Sequence, residues 1–296
     1  MGLEMKRTSS TDRSTSPPTI KGYMHMVEDI VHATTILDNL REIYTHPYIH
    51  ARWFRVLPPD DYNRLMTAYP SMAKVIGTRK WQQNSRYDLD AAELLQDDEI
   101  DPVMRDFIEV HTSNLFWQKI VDIFGGQIRK KYPYLEASIG KSLEDFTVGV
   151  RNAKRHEDDE PVEVEMDAKP GYNTPVTKRS SVRGPHVDNP RELFAAIMYC
   201  RERNDVTPGG NFVIHRAVSR SSSWRWHGKN ELYPENFTRH AVAIYQDNTG
   251  VAFINELKAV HSVTARPETK HPRRLMNFIA ELRQPLFTIP KKRHDP

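Results

Sequence analysis

The stretch GPHVDNPRELFAAIMYC, residues 184–200, sets a histidine and an aspartate one residue apart just before a long apolar run. Imidazole and carboxylate are both ligands for a divalent metal ion, and in an extended backbone residues i and i+2 project from one face. His186 and Asp188 therefore offer half of a metal site if the segment is extended. On its own the pair fits a turn equally well, with Asp188 capping the next segment and His186 facing water. The run LFAAIMYC is as compatible with a helix as with a strand, so its neighbours decide.

Those neighbours read as strands. VEVEMDA, residues 162–168, alternates apolar and acidic side chains at period two, as a half-exposed strand does. NFVIHRAV, HAVAIYQ, GVAFINE, KAVHSVTA and RRLMNFIAEL come after it, each short and bounded by Gly, Pro, Asn or Asp. Strands in this number without intervening helices predict an antiparallel sandwich or barrel. Gly209 and Gly210 fall between two of them, as a hairpin turn would, and RNAKRHEDDEP and SRSSSWRWHGKNELYPENF read as exposed loops.

The first half has another rhythm. MVEDIVHATTILDNLREIY repeats its apolar residues at helical spacing, and PPDDYNRLMTAYP opens with prolines and aspartates and closes at Pro70. DPVMRDFIEVHTSNLFWQKIVDIFGG runs from an Asp101-Pro102 start to a Gly125-Gly126 stop, with a break expected around Thr112 to Asn114. HARWFRVLP is the strand candidate of this half. The expected organisation is α+β: a disordered, Ser/Thr/Pro-rich tail over 1–20, a mainly helical region over 21–143, and a β core over 144–296.

Bulk composition narrows the function classes. The chain of 296 residues has one cysteine, Cys200, so intramolecular disulfides and thiolate zinc clusters are excluded. A net charge of +3, with acidic and basic residues interspersed, gives no ground for nucleic-acid binding. No apolar stretch approaches the ~20 residues of a membrane helix, and the first residues lack the apolar region of a secretory signal. A cytoplasmic protein without a membrane partner is expected, and its oligomeric state is not legible. Neither GxxxxGK nor GxGxxG occurs, so nucleotide-phosphate chemistry has no support.

Two ligands call for a third, and AVHSV offers His261 inside an apolar strand pattern. Two histidines and one carboxylate with open positions are the facial set of non-haem iron oxygenases. Arg273 and Arg274 then open the last strand, and an arginine holds a carboxylate by a two-pronged fork. Singly, each feature has an ordinary reading: a buried histidine bonded to backbone, a basic strand end in water. The order H-x-D, Gly-Gly, His, Arg is far more specific than any one of them.

GPHVDNPRELFAAIMYC, TPGGNFVIHR, NTGVAFINELKAVHSVTARPET and HPRRLMNFIAEL together resemble the Fe(II)/2-oxoglutarate-dependent dioxygenase superfamily, on its prolyl-hydroxylase-like side. The resemblance implies a double-stranded β-helix (jelly roll) with helices packed on it. It also implies Fe(II) held by His186, Asp188 and His261, with 2-oxoglutarate and O2 as cosubstrates. Arg273 or Arg274 would meet the far carboxylate of 2-oxoglutarate, the family pattern favouring Arg273. Because Asp188 is retained where the related halogenases carry a small residue, hydroxylation is favoured over halogenation, with desaturation or ring formation as variants.

Further candidates are Tyr199 and Asn255 beside the cosubstrate and Arg86, Trp224 and Trp226 beside the substrate, each with a purely packing role as its alternative. His215 and His271 are spare histidines. A small-molecule substrate is expected. The competing readings are a peptide or protein hydroxylase of the same superfamily, a non-redox metal-dependent jelly-roll enzyme, and a binding module without chemistry.

Overall fold

The structure is a computed structural model and describes residues 34–151, 162–227 and 230–290. The tail expected over 1–20 and nearly all of RNAKRHEDDEP lie outside the described residues. The elements run β1 (His50–Phe54), α1 (Pro59–Thr67), α2 (Met72–Ile76), β2 (Arg86–Asp88), α3 (Ala91–Leu95), α4 (Pro102–His111), α5 (Asn114–Lys131) and α6 (Leu135–Ile139). The strands then succeed one another almost without interruption: β3 (Val148–Val150), β4 (Val164–Asn173), β5 (Glu192–Tyr199), β6 (Phe212–Ala217), β7 (Trp226–His227), β8 (Glu231–Leu232), β9 (Phe237–Ala243), β10 (Thr249–Ile254), β11 (His261–Val263) and β12 (Arg273–Leu282).

The larger sheet has the order β1-β10-β5-β12-β4-β2 with β3 added in parallel beside β4, and the smaller has the order β11-β6-β9. Bridges from Ser180 to Arg266 and from His186 to His261 lay the segment before β5 along the free edge of β11. The chain therefore crosses from β4 to this segment, back to β5 and over to β6, stays on that side through β9, and then alternates sheets through β10, β11 and β12; the paired sheets form a double-stranded β-helix. The α+β class and the antiparallel sheets are as the strand pattern predicts, and the jelly-roll core is as the resemblance implies.

Each apolar run is explained by which face of β5 it serves. Ala195 and Tyr199 join Phe212, Ile214, Tyr245, Val251, Phe253 and Leu275 between the sheets. Phe194, Ala196 and Met198 point the other way, onto the helices, where Phe278 and Phe194 meet Phe116 and Phe124 of α5. A strand buried on both faces shows no alternation, which is why LFAAIMYC resembles a helix in sequence. The helices and both sheets belong to one compact unit that begins at Thr35.

Four expectations are corrected. Residues 34–44 form turns rather than a helix: the Thr35 backbone N–H and hydroxyl both donate to the Asp38 carboxylate, at 2.7 and 3.0 Å, and such local bonds compete with helical ones. The turn seats Ile36 and Leu37 in the core, and the Ile36 N–H donates to His111 Nε2 at 3.0 Å. Gly125 and Gly126 do not end α5, because Ile128 beyond them continues its buried face. β2 is a strand not expected in the region read as mainly helical, whereas β1 falls on the strand candidate HARWFRVLP; the two flank the larger sheet. β4 also runs five residues past Ala168, through Pro170. Pro170 is tolerated because its polar groups face β2, whose last strand residue is Asp88; its carbonyl accepts from Leu89 N–H at 3.2 Å, and no ladder N–H is needed there. Among the described residues no helix is long and apolar enough to cross a membrane.

Candidate metal centre

The backbones of His186 and His261 pair in both directions, His186 N–H to His261 O at 2.9 Å and His261 N–H to His186 O at 3.0 Å. This closed pair sets the two imidazoles side by side, ring centroids 4.1 Å apart. Asp188 stands two residues on, its Oδ1 3.6 Å from His186 Nε2 and its Oδ2 3.4 Å from His261 Nε2. Val187 between them points away and is fully buried with Trp224, Leu232 and Val260. The one-residue spacing of HVD thus has the strand-like alternation that convergence requires.

The proton positions are set by the second ring nitrogens. His186 Nδ1 lies 2.7 Å from Gly184 O, and His261 Nδ1 lies 2.9 Å from Ala259 O. A carbonyl only accepts, so each Nδ1 donates to it and each Nε2 is the ring nitrogen turned towards the centre. Phe212 stacks on the His261 ring at 4.8 Å and 13°, which fixes its plane. Burial, helped by neighbouring His261, holds His186 well below the ordinary imidazole range, so it is neutral and able to ligate. Burial acts to raise the Asp188 carboxyl, but His261, His186 and Arg183 outweigh it and hold it below the usual carboxylate range.

Three side chains of metal-ligating type therefore meet, their ligand atoms within 4.8 Å of one another. A divalent cation fits that donor set: two imidazoles and one carboxylate, with the remaining positions left to other ligands. Among the described residues no other three His, Cys, Asp or Glu side chains converge in this way.

The centre opens into a cavity of about 760 Å³ between the sheets, and Arg273 lines the same cavity. Arg273 is 2% exposed, and its guanidinium is held by Gly210 O at 2.7 Å, Asn173 Oδ1 at 2.9 Å and the Tyr199 hydroxyl at 3.0 Å. The rings of Tyr199 and Tyr245 lie 4.9 and 5.4 Å from its carbon. Glu192 lines the cavity too; burial, with Asp188 and Glu281 adding to it, pushes its carboxyl up to about 8.

The other candidates separate by strand face. Arg274, next along β12, points to the helical side, donating to Cys200 O at 2.8 Å over the ring of Tyr69, and so lies away from the cavity. Tyr199 reaches the cavity only through Arg273. Asn255 ties the end of β10 to the turn after Asp188, donating to Asn189 O and Glu192 O at 2.9 and 3.0 Å, and lines nothing. Trp224 and Trp226 pack behind Val187 rather than over the cavity, because β7 and β8 fold back as a small hairpin. Arg86 does line the cavity, from β2. His215 turns away to Ser262 Oγ at 2.7 Å, and His271 lies 3.8 Å from Glu202. Sequence reasoning missed Asn173, Asp88 and Asn277, which also line the cavity. Continuing the β4 alternation past Pro170 would have found Asn173.

No protein-family model matches the sequence, and no curated protein matches it. Solved structures do resemble it in fold. A prolyl-4-hydroxylase from Pseudomonas putida is 10% identical, covering 79% of this chain and 93% of its own, with a TM-score of 0.40. A dioxygenase for auxin oxidation in rice is 12% identical over 78% of this chain and 72% of its own, TM-score 0.38. A viral collagen prolyl hydroxylase from Paramecium Bursaria Chlorella virus-1, in a 2-oxoglutarate complex, is 8% identical over 79% of this chain and 96% of its own, TM-score 0.37.

Proposed function

We propose that this chain is an Fe(II)/2-oxoglutarate-dependent oxygenase that hydroxylates an unactivated C–H bond of a small molecule, with release of succinate and CO2. The observation that carries the reading is the presence, in one cavity, of the convergent His186, Asp188 and His261 side chains and the buried guanidinium of Arg273. His186, Asp188 and His261 would hold the ion on one face, their orientation fixed by Gly184 O and Ala259 O. Iron with 2-oxoglutarate and O2 supplies the oxidising chemistry when bound. The chain's own contribution is placement and dryness. Arg273 would fix one carboxylate of the cosubstrate, and Phe212, Phe253, Ile197 and Ile279 give the cavity an apolar wall. A cavity of about 760 Å³ suits a small-molecule ligand.

The test is anaerobic addition of Fe(II) and 2-oxoglutarate. A weak visible charge-transfer band is expected, and succinate release once O2 is admitted; a protein that binds Fe(II) but gives neither would sink the reading. Tyr199→Phe removes one of the groups that hold Arg273. It should raise the dissociation constant for 2-oxoglutarate about fivefold, the loss of one ordinary hydrogen bond, measured by titrating the same band.

A further inference from the structure

The cosubstrate end of the cavity contains more donors than Arg273 uses. Arg86 of β2, Asn173 of β4 and Arg273 of β12 stand directly opposite one another across three neighbouring strands. Opposed residues of an antiparallel pair share a face, so all three side chains point into the cavity they line. Asn173 is 1% exposed, and its Oδ1 accepts from Arg273, which fixes the amide with Nδ2 as the free end. That Nδ2 is buried and has no hydrogen-bond partner. Nor has the buried Nη2 of Arg86. Buried donors are rarely left unpaired, so two of them in one row point to a missing acceptor.

Arg86 is itself held in place. Its Nε donates to both oxygens of Asp88, at 2.8 and 3.0 Å. The Asp88 carboxylate lies flat over Gly171, where a Cβ would come within 2.1 Å of Oδ1. A glycine at 171 is what leaves room for this brace. Arg86 therefore presents a pre-oriented guanidinium edge whose Nη2 is buried.

We propose that Arg86 and Asn173 complete one carboxylate seat with Arg273, Arg86 being its second cation, and that the seat takes the far carboxylate of a dicarboxylate such as 2-oxoglutarate. The assignment rests on the oxygenase reading for the identity of the dicarboxylate. The row across β2, β4 and β12 makes β2, outside the jelly-roll core, part of the cosubstrate site.

The experiment is calorimetric titration of 2-oxoglutarate into the metal-stripped full-length protein. Wild type should bind, Arg86→Gln about tenfold more weakly, as loss of a charge-assisted bond implies, and Arg86→Lys should recover part of the loss. Equal affinities for wild type and Arg86→Gln would overturn the seat. So would failure of wild type to bind without metal, or an Arg86→Lys protein no better than Arg86→Gln. The anaerobic Fe(II) band is read in parallel: binding without the band keeps the seat and removes the oxygenase reading.

Discussion

Asp188→Ala should abolish the anaerobic charge-transfer band and lower succinate release by more than ~100-fold, since even partners one shell further out cost 10- to 100-fold when lost. Asp188 supplies the sole negative charge of the ligand set, and both histidines are fixed so that only Nε2 faces it. Without it, only two imidazoles remain. The fold should not suffer, because the carboxylate makes no short bond to the protein: Arg183 is 3.7 Å away and both histidines are beyond 3.3 Å. The separating measurement is thermal. Metal at about 100 times its dissociation constant stabilises by about 2.7 kcal/mol, or roughly 5–10 °C for a unit of this size. Wild type should show that rise with Fe(II), and Asp188→Ala should melt at the metal-free wild-type temperature with or without iron. An Asp188→Ala protein that still releases succinate at the wild-type rate would remove this residue from the centre.

The convergence of His186, Asp188 and His261 was legible in sequence because its signals are local to two short strand patterns. HVD alternates at period two, and AVHSV sets a polar residue where only apolar ones are expected. Sequence could not supply the partner of each strand. Arg273 and Arg274 are adjacent in sequence and opposite in orientation, so only the pairing of β12 with β4 and β5 decides which one meets the cavity. Arg86 and Asn173 were unreadable as a pair for the same reason. They are 87 positions apart, one on a three-residue strand and the other beyond a proline that ends any strand read from pattern alone. The misread helix over 34–44 has a different cause, since its apolar spacing is real but serves a turn pinned by Asp38 and His111. Trp224 and Trp226 read as substrate-side residues because aromatic residues in a charged loop look alike whether they cover a cavity or back a strand.

Gly209→Ala is expected to destabilise the fold strongly for so small a substitution, by about 3 kcal/mol or more. Gly209 has φ +88°, and a Cβ there would stand 2.1 Å from Ala265 O, a backbone atom that cannot swing aside. Gly210 comes next at φ +76°, donating to Thr264 O at 3.0 Å and accepting from Arg273 Nε at 2.7 Å. The two left-handed residues thus turn a carbonyl onto the buried guanidinium while passing close beneath the loop after β11. The melting temperature should fall by roughly 6–12 °C, and the residual folded protein should bind 2-oxoglutarate more weakly because Arg273 loses its anchor. Gly140→Ala is the matched control. Gly140 ends α6 at φ +81° with nothing within 4 Å of a Cβ, so it carries the conformational strain without the clash. Its loss should be about 1 kcal/mol and should leave cosubstrate affinity unchanged. Equal losses from the two variants would show that the approach to Ala265 is not what requires a glycine at 209. A larger loss at 209, coupled to weaker 2-oxoglutarate binding, ties the Gly-Gly pair to the seating of Arg273.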